Sequence, residues 1–245
     1  MTLPFLILAL GFAAFAATLF GGLMALRIRD HLHLVLGFSA GAIIAVAFFD
    51  LLPEALTLAG AAYTSSTIVA CVALGFVVYL ALDRMAMLFG GHTHGDHEHD
   101  SNTRGPLRAS SLSLHSFLDG LGIGLAFHVS PSVGAFVAAA VLTHDFSDGI
   151  NTVSVIVRHG GSQKKALTWL AVDALAPFFG AASTLLFSVP TTALGLLLAL
   201  FSGFFLYIGA TDLIPESHHR HPKLLTTFMT MLGMAVLYAA IRVDG

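Results

Sequence analysis

Charge is what this 245-residue chain lacks most: Asp, Glu, Lys and Arg make up 10% of it, against 56% hydrophobic residues. A soluble domain carries about 25% charged residues, so a water-facing globule is excluded. Cysteine is nearly absent: Cys71 stands alone, which excludes an intrachain disulfide. Eleven Lys and Arg against fourteen Asp and Glu give a net charge of −3, leaving no basic surplus for nucleic acid. What the chain has instead is long apolar runs and thirteen histidines.

A membrane-spanning helix needs about 20 apolar residues. Eight runs qualify, over Leu3–Leu26, Leu34–Leu58, Ser65–Phe89, Leu107–Val129, Val133–Val157, Ala166–Ser188, Thr191–Ile214 and Leu224–Ile241. The first lacks a basic leader, and Arg27 and Arg29 follow it, so it reads as a retained span and not a signal peptide. The loops after spans 1, 3, 5 and 7 hold Arg27, Arg29, Arg84, Arg104, Arg108, Arg158, Lys164, Lys165, Arg220 and Lys223. Only Arg242 falls on the other side. The positive-inside rule then puts both termini on the extracytoplasmic side.

The expected organisation is one transmembrane domain over 1–245, with one polar loop from Gly90 to about Pro106 on the cytoplasmic side. That loop holds His92, His94, His97 and His99 in the pattern H-x-H-x-x-H-x-H. With no cysteine beside them, these imidazoles form no structural zinc signature and read as a labile metal-collecting tract. A pentapeptide recurs in the spans: Asp50-Leu-Leu-Pro53-Glu54 in span 2 and Asp212-Leu-Ile-Pro215-Glu216 in span 7. The two spans run in opposite directions, so the copies lie near opposite mouths. That is the signature of an inverted repeat, spans 1–3 against 6–8 with 4 and 5 between, in a 3+2+3 arrangement. Each proline frees the carbonyl four residues earlier, at Phe49 and Thr211, beside two carboxylates.

Two further segments match each other: His115-Ser-Phe-Leu-Asp119-Gly120 in span 4 and His144-Asp-Phe-Ser-Asp148-Gly149 in span 5. His and Asp four apart share one helical face. By the rise of ~1.5 Å per residue, His115 and Asp119 lie about 12 and 18 Å from one surface, and His144 and Asp148 about 16 and 22 Å from the other. Both pairs therefore straddle the middle of a hydrocarbon core about 30 Å thick. Asp173 in span 6 reaches a similar depth, and Asp145, Asn151 and Ser116 flank the ligand face. Ionisable groups at that depth cost roughly 3 kcal/mol each on insertion scales and are rare without a function. Interhelical polar glue would account for one His and one Asp; two His and four Asp at one depth call for a cation. Gly120, Gly122, Gly124 and Gly149 would let the helices approach closely enough to share it.

These residues resemble the ZIP (Zrt/Irt-like) family of divalent metal transporters. The resemblance covers nearly the whole chain: eight spans, both ends outside, a His-rich loop between spans 3 and 4, and metal motifs on spans 4 and 5. The family's H-N-x-P-E-G on helix 4 corresponds to His115-Ser116-Phe-Leu118-Asp119-Gly120, and a related motif to His144-Asp145-Phe-Ser-Asp148-Gly149. The Asp50/Pro53/Glu54 and Asp212/Pro215/Glu216 motifs look like the family's signatures on helices 2 and 7, and Asp173 stands where members have an acidic residue. Ser116 replaces the Asn that helps hold a second metal in some members, Leu118 replaces the proline, and both pair carboxylates are Asp rather than Glu.

The resemblance implies uptake of divalent metal toward the cytoplasm, zinc first and Fe, Mn, Co or Cd as alternatives, with no resident cofactor and no enzymatic activity. Metal would pass from Asp50 and Glu54 through the central His/Asp site to Asp212 and Glu216. The competing readings are a metal-dependent intramembrane hydrolase, which needs about three ligands and an open water position, and a metal sensor working through the His loop. Partners expected are the metal ions and the lipid bilayer, with a homodimer as candidate assembly. The expected location is a prokaryotic plasma (inner) membrane. A C-terminal reporter active only in the cytoplasm should stay dark, and the same reporter in the 90–106 loop should be bright. The opposite pattern would reverse the orientation.

Overall fold

The computed structural model describes residues 2–25, 32–89, 101–158, 160–218 and 224–244. Among them every regular element is helical and none is a strand. Helix α1 spans Leu3–Ala25; α2 (Leu32–Val46) runs through a wide turn at Ala47–Leu51 into α3 (Leu52–Ala59). Then come α4 (Ser65–Phe89), α5 (Ser101–Val129), α6 (Pro131–Arg158) and α7 (Gln163–Ser183). Helix α8 (Thr191–Tyr207) passes through a second wide turn, Ile208–Leu213, into α9 (Ile214–His218), and α10 covers Leu224–Asp244. Residues this apolar form helices in hydrocarbon because every backbone group must find its partner within the segment.

Among the described residues, seven helices are long and apolar enough to cross a membrane, over Leu3–Ala25, Leu36–Ala59, Ser65–Met85, Ala109–Val129, Gln163–Leu186, Thr191–Thr211 and Leu224–Val243. The protein is therefore an integral membrane protein. Helix α6 has the length, at 28 residues, but its hydropathy is lowered by the ionisable groups it carries. The expected loop is shorter than its sequence suggests. Residues 101–106 belong to α5, and Pro106 lies inside that helix. A proline near a helix start forfeits a single bond, so the polar composition there did not prevent helix formation.

The helices pack as two groups that alternate along the chain. Helices α1, α5, α6 and α7 form one bundle, and α2 with α3, α4, α8 and α10 form the other. The bundles meet mainly where α2 touches α6 and where α4 and α8 touch α5. The first bundle has its own apolar cluster of Ile150, Val153, Ile156, Ala166 and Leu170. On α4 and α10 the outer faces expose Val69, Leu74, Val77, Phe228, Met231 and Val236, the apolar surface a lipid-facing helix requires.

The two wide turns share one cause. Each lies just before a proline, Pro53 or Pro215, and each closes with a bond from residue i+5 to residue i: Leu52 N–H to Ala47 O, and Ile214 N–H to Gly209 O. The helix accommodates the proline by widening the preceding turn instead of kinking, a substitution frequent at functional sites. Ser202 on α8 also donates to Ala47 O at 2.9 Å, tying the first wide turn to the second bundle's centre.

Glycine sets the spacing inside the first bundle. A Cβ on Gly149 would collide with the carbonyl of Thr18 on α1, and one on Gly120 with the carbonyl of Pro177 on α7. Neither backbone can yield without parting the helices that carry the buried His and Asp side chains. Gly149→Ala and Gly120→Ala should each destabilise the protein by roughly 1–3 kcal/mol, as overpacking does. Gly122→Ala should cost less, because its Cβ would meet side chains and not backbone, Phe201 ring atoms at 3.2 Å and Phe205 Cζ at 4.0 Å. Thermal unfolding in detergent reads the difference; equal stability of all three variants would mean the bundle is looser than drawn.

Candidate metal centre

One turn separates His115 from Asp119 on α5, and one turn separates His144 from Asp148 on α6. Helices α5 and α6 pack against each other, and the four side chains meet in one cluster whose ligand atoms all lie within 4.8 Å of one another. His115 Nε2 is 3.2 Å from Asp119 Oδ2 and 3.4 Å from Asp148 Oδ2. His144 Nε2 is 3.2 Å from Asp119 Oδ2 and 3.6 Å from Asp148 Oδ2. Ligand atoms around tetrahedral zinc, with bonds of about 2.0–2.2 Å, are roughly 3.3–3.6 Å apart. The His–Asp separations fall close to that range. All four residues are buried, none more than 6% exposed, so this conformation closes the cluster to solvent.

Hydrogen bonding on the far side of each ring decides what the near side offers. His144 Nδ1 is 3.1 Å from Ala140 O, its own helix's carbonyl. A carbonyl only accepts, so Nδ1 carries the proton and the neutral ring turns a lone pair on Nε2 toward two carboxylates. Acceptors facing acceptors at these distances repel unless a positive charge sits between them, either a metal ion or a proton. Between residues 109 and 157 the sequence has no Lys or Arg to supply it. His115 Nδ1 instead meets the hydroxyl of Tyr79, on α4 of the other bundle, at 2.7 Å.

The flanking residues divide. Asp173 is fully buried and both its oxygens are engaged: Ser116 Oγ donates to Oδ1 at 2.9 Å and Thr152 Oγ1 to Oδ2 at 2.7 Å. Asp145 is equally buried, but neither carboxylate oxygen has a hydrogen-bond partner. Asn151 is half-buried. At the first wide turn Asp50 is buried with Oδ2 lacking a partner, and Glu54 is half-buried one turn on. That turn packs against α6, which carries His144 and Asp148. The side chains of Asp212 and Glu216, and all of His92, His94, His97 and His99, lie outside the described residues.

Two residues at the centre escape a reading of the motifs alone. Thr152 sits one turn beyond Asp148 and looks like ordinary helix filler. Tyr79 lies 36 positions before His115, in a span without a metal motif. The signal for it is general: a phenol in the middle of an apolar span must find a polar partner.

The family model described as ZIP Zinc transporter matches residues 90–240. The Zinc transporter ZupT of Corynebacterium aurimucosum is 26% identical over 245 residues, covering 92% of this chain and 92% of that protein. The human Zinc transporter ZIP6 is 30% identical over 107 residues, 43% of this chain but 14% of that protein. The Drosophila melanogaster Zinc transporter foi is 27% identical over 121 residues, 49% of this chain and 17% of that protein. The chain thus spans a small part of the two animal relatives and nearly all of the bacterial one. The family match, over residues 90–240, is more than half of the chain and takes in both His/Asp helices; the chain belongs to the ZIP zinc transporter family.

Proposed function

We propose that this protein carries divalent transition-metal ions across the membrane, zinc first among them, toward the cytoplasm. The observation that carries the reading is the facing of His144 Nε2 and His115 Nε2 onto the Asp119 and Asp148 carboxylates, buried between two helices that carry no Lys or Arg from residue 109 to 157. The four ligands come from one chain, so a partner subunit is not needed to complete the site. Asp50 and Glu54 form the proposed outer mouth, and Asp212 and Glu216 the proposed inner one. The cytoplasmic histidines at 92, 94, 97 and 99 would collect the released ion.

The reading takes α6 as an eighth membrane span. Its His/Asp motif faces α5, and its polar groups lower its hydropathy without shortening it. Eight spans in one domain over 1–245, with the 3+2+3 inverted repeat, account for matching wide turns before Pro53 and Pro215 on helices of opposite direction. Basic residues on alternate loops support extracytoplasmic termini in a prokaryotic plasma membrane. The alternation of the two bundles along the chain suits a rocking motion of one against the other around a fixed site.

Zinc uptake into proteoliposomes tests the function. His115→Ala, Asp119→Ala, His144→Ala and Asp148→Ala should each lower flux by more than about tenfold, the scale on which disturbed metal sites fail, while still inserting. Glu54→Gln and Glu216→Gln should slow it less, because ligands at a mouth are wetter and replaceable. Full flux through any two of the four alanine variants would remove the site. Lipid hydrolysis without metal movement would turn the protein into the hydrolase that the ligand count also permits.

Stoichiometry is the second test. Asp173 already accepts from two hydroxyls, and Ser116 is spent on one of those bonds. A second ion would draw on Asp145 and borrow from Asp119 or Asp148. Metal analysis after dialysis should find one tightly held ion per chain and a second that washes out. Ser116→Asn, which supplies a side-chain carbonyl, should retain more of the second. Two ions of equal affinity in the unaltered protein would overturn this assignment.

A further inference from the structure

Tyr79 reaches the metal centre from outside the bundle that builds it. Its side chain is buried, with Oη 2.7 Å from His115 Nδ1 and the two rings edge to face at 5.8 Å between centroids. On its other sides it packs against Tyr207 at 5.1 Å and Phe204 at 5.6 Å, both on α8. Tyr207 Oη in turn donates to Asp83 Oδ2 at 3.0 Å, and Asp83 lies one turn beyond Tyr79 on α4. The tyrosine ring is therefore wedged by α8 and cannot swing away from His115 without disturbing that packing.

We infer that Tyr79 is the positioning residue for His115: its hydroxyl holds the imidazole so that Nε2 faces Asp119 and Asp148, and it thereby sets the affinity of the metal centre. This rests on the reading of the four-residue cluster as the metal site. The two histidines differ in their support. His144 is oriented by a carbonyl of its own helix, so it keeps its orientation wherever α6 goes. Among the described residues, His115 Nδ1 finds its partner across the boundary between bundles. A carbonyl can only accept, whereas a phenol both accepts and donates. With metal on Nε2, Nδ1 carries the proton and Tyr79 Oη accepts it. Without metal, Nε2–H can donate to the carboxylates while Nδ1 accepts from the tyrosine. The same hydroxyl suits both states, so His115 need not turn when an ion arrives or leaves.

A consequence follows for release. Tyr79 moves with α4 and α8, and His115 moves with α5. Any displacement of one bundle against the other separates Oη from Nδ1 and leaves His115 free to rotate. The ion is held most tightly in the closed arrangement and less tightly once the bundles shift.

The test uses the full-length protein in nanodiscs, with zinc or cobalt as the only added metal. Tyr79→Phe keeps the ring and removes the hydroxyl. Zinc affinity should fall by about 10–100-fold, as when the partner of a metal-bound imidazole is lost. The KM for zinc transport should rise in parallel, with a smaller effect on maximal rate. The visible absorption of the cobalt-loaded protein should also change, reporting altered ligand geometry. Tyr207→Phe removes a hydroxyl from the same aromatic cluster without touching His115, and should leave affinity and spectrum as in the unaltered protein. Wild-type affinity and spectrum in Tyr79→Phe would overturn the inference, as would an equal loss in Tyr207→Phe, which would assign the effect to ring packing. Undiminished affinity in His115→Ala would overturn the metal site itself, a result distinct from either of these.

Discussion

The structure depends on one electrostatic constraint: two carboxylates and two imidazole nitrogens share one buried space. In a medium of low dielectric, imidazole lone pairs facing carboxylate oxygens at 3.2–3.6 Å are tolerable only with a metal ion or a proton between them. The rest of the first bundle serves that arrangement. Gly149 seats α6 against α1 and Gly120 seats α5 against α7, which fixes the two motif helices within the bundle. Ser116 and Thr152 occupy Asp173, which removes one neighbouring carboxylate from competition for the ion. Asp145, buried beside the site, is left without a hydrogen bond to either carboxyl oxygen.

Much of this was legible in the sequence because the physics is local. His and Asp four apart fall on one face of any helix, and apolar runs of membrane length fix where that helix sits. The meeting of α5 and α6 followed from their short connection and matching depth. What local pattern could not supply was partnership between distant spans. The linear order suggests three spans, then two, then three, yet the helices pack as α1, α5, α6 and α7 against the others. Adjacent segments such as α1 and α2 belong to different bundles. Contacts of that kind depend on the close fit of surfaces that all look equally apolar. Tyr79 was invisible for the same reason, since its partner is set by how α4 lies on α5. The start of α5 at Ser101 was missed because polar composition near a loop says little about whether the backbone has already begun to coil.

The duplicated pentapeptide shows how far a repeat in sequence constrains geometry. Proline removes the same hydrogen bond in each copy, and each helix answers with the same wide turn over Ala47–Leu51 and Ile208–Leu213. A wide turn adds one residue without breaking the helix, so the residues that follow are rotated relative to those before. Asp50 lies within the first such turn and Asp212 within the second. Ser202 reinforces the first by bonding Ala47 O, while Thr211 Oγ1 donates to Tyr207 O at 2.7 Å in the second. The repeat thus conserves the device and varies the side chains that brace it.

The two halves of the central site are unequal in a way that bears on transport. A pathway that held every ligand by its own helix would bind an ion well and have no reason to let it go. Here His144 is held from within α6, and His115 from across the gap between bundles. On the proposed reading, binding strength depends on how the bundles stand and not on the four ligands alone. Such an arrangement meets the conflicting demands on a carrier, which must capture an ion in one state and surrender it in another with the same side chains. It also places the weakest link at His115, whose support is a single hydroxyl from a helix that carries no metal ligand of its own.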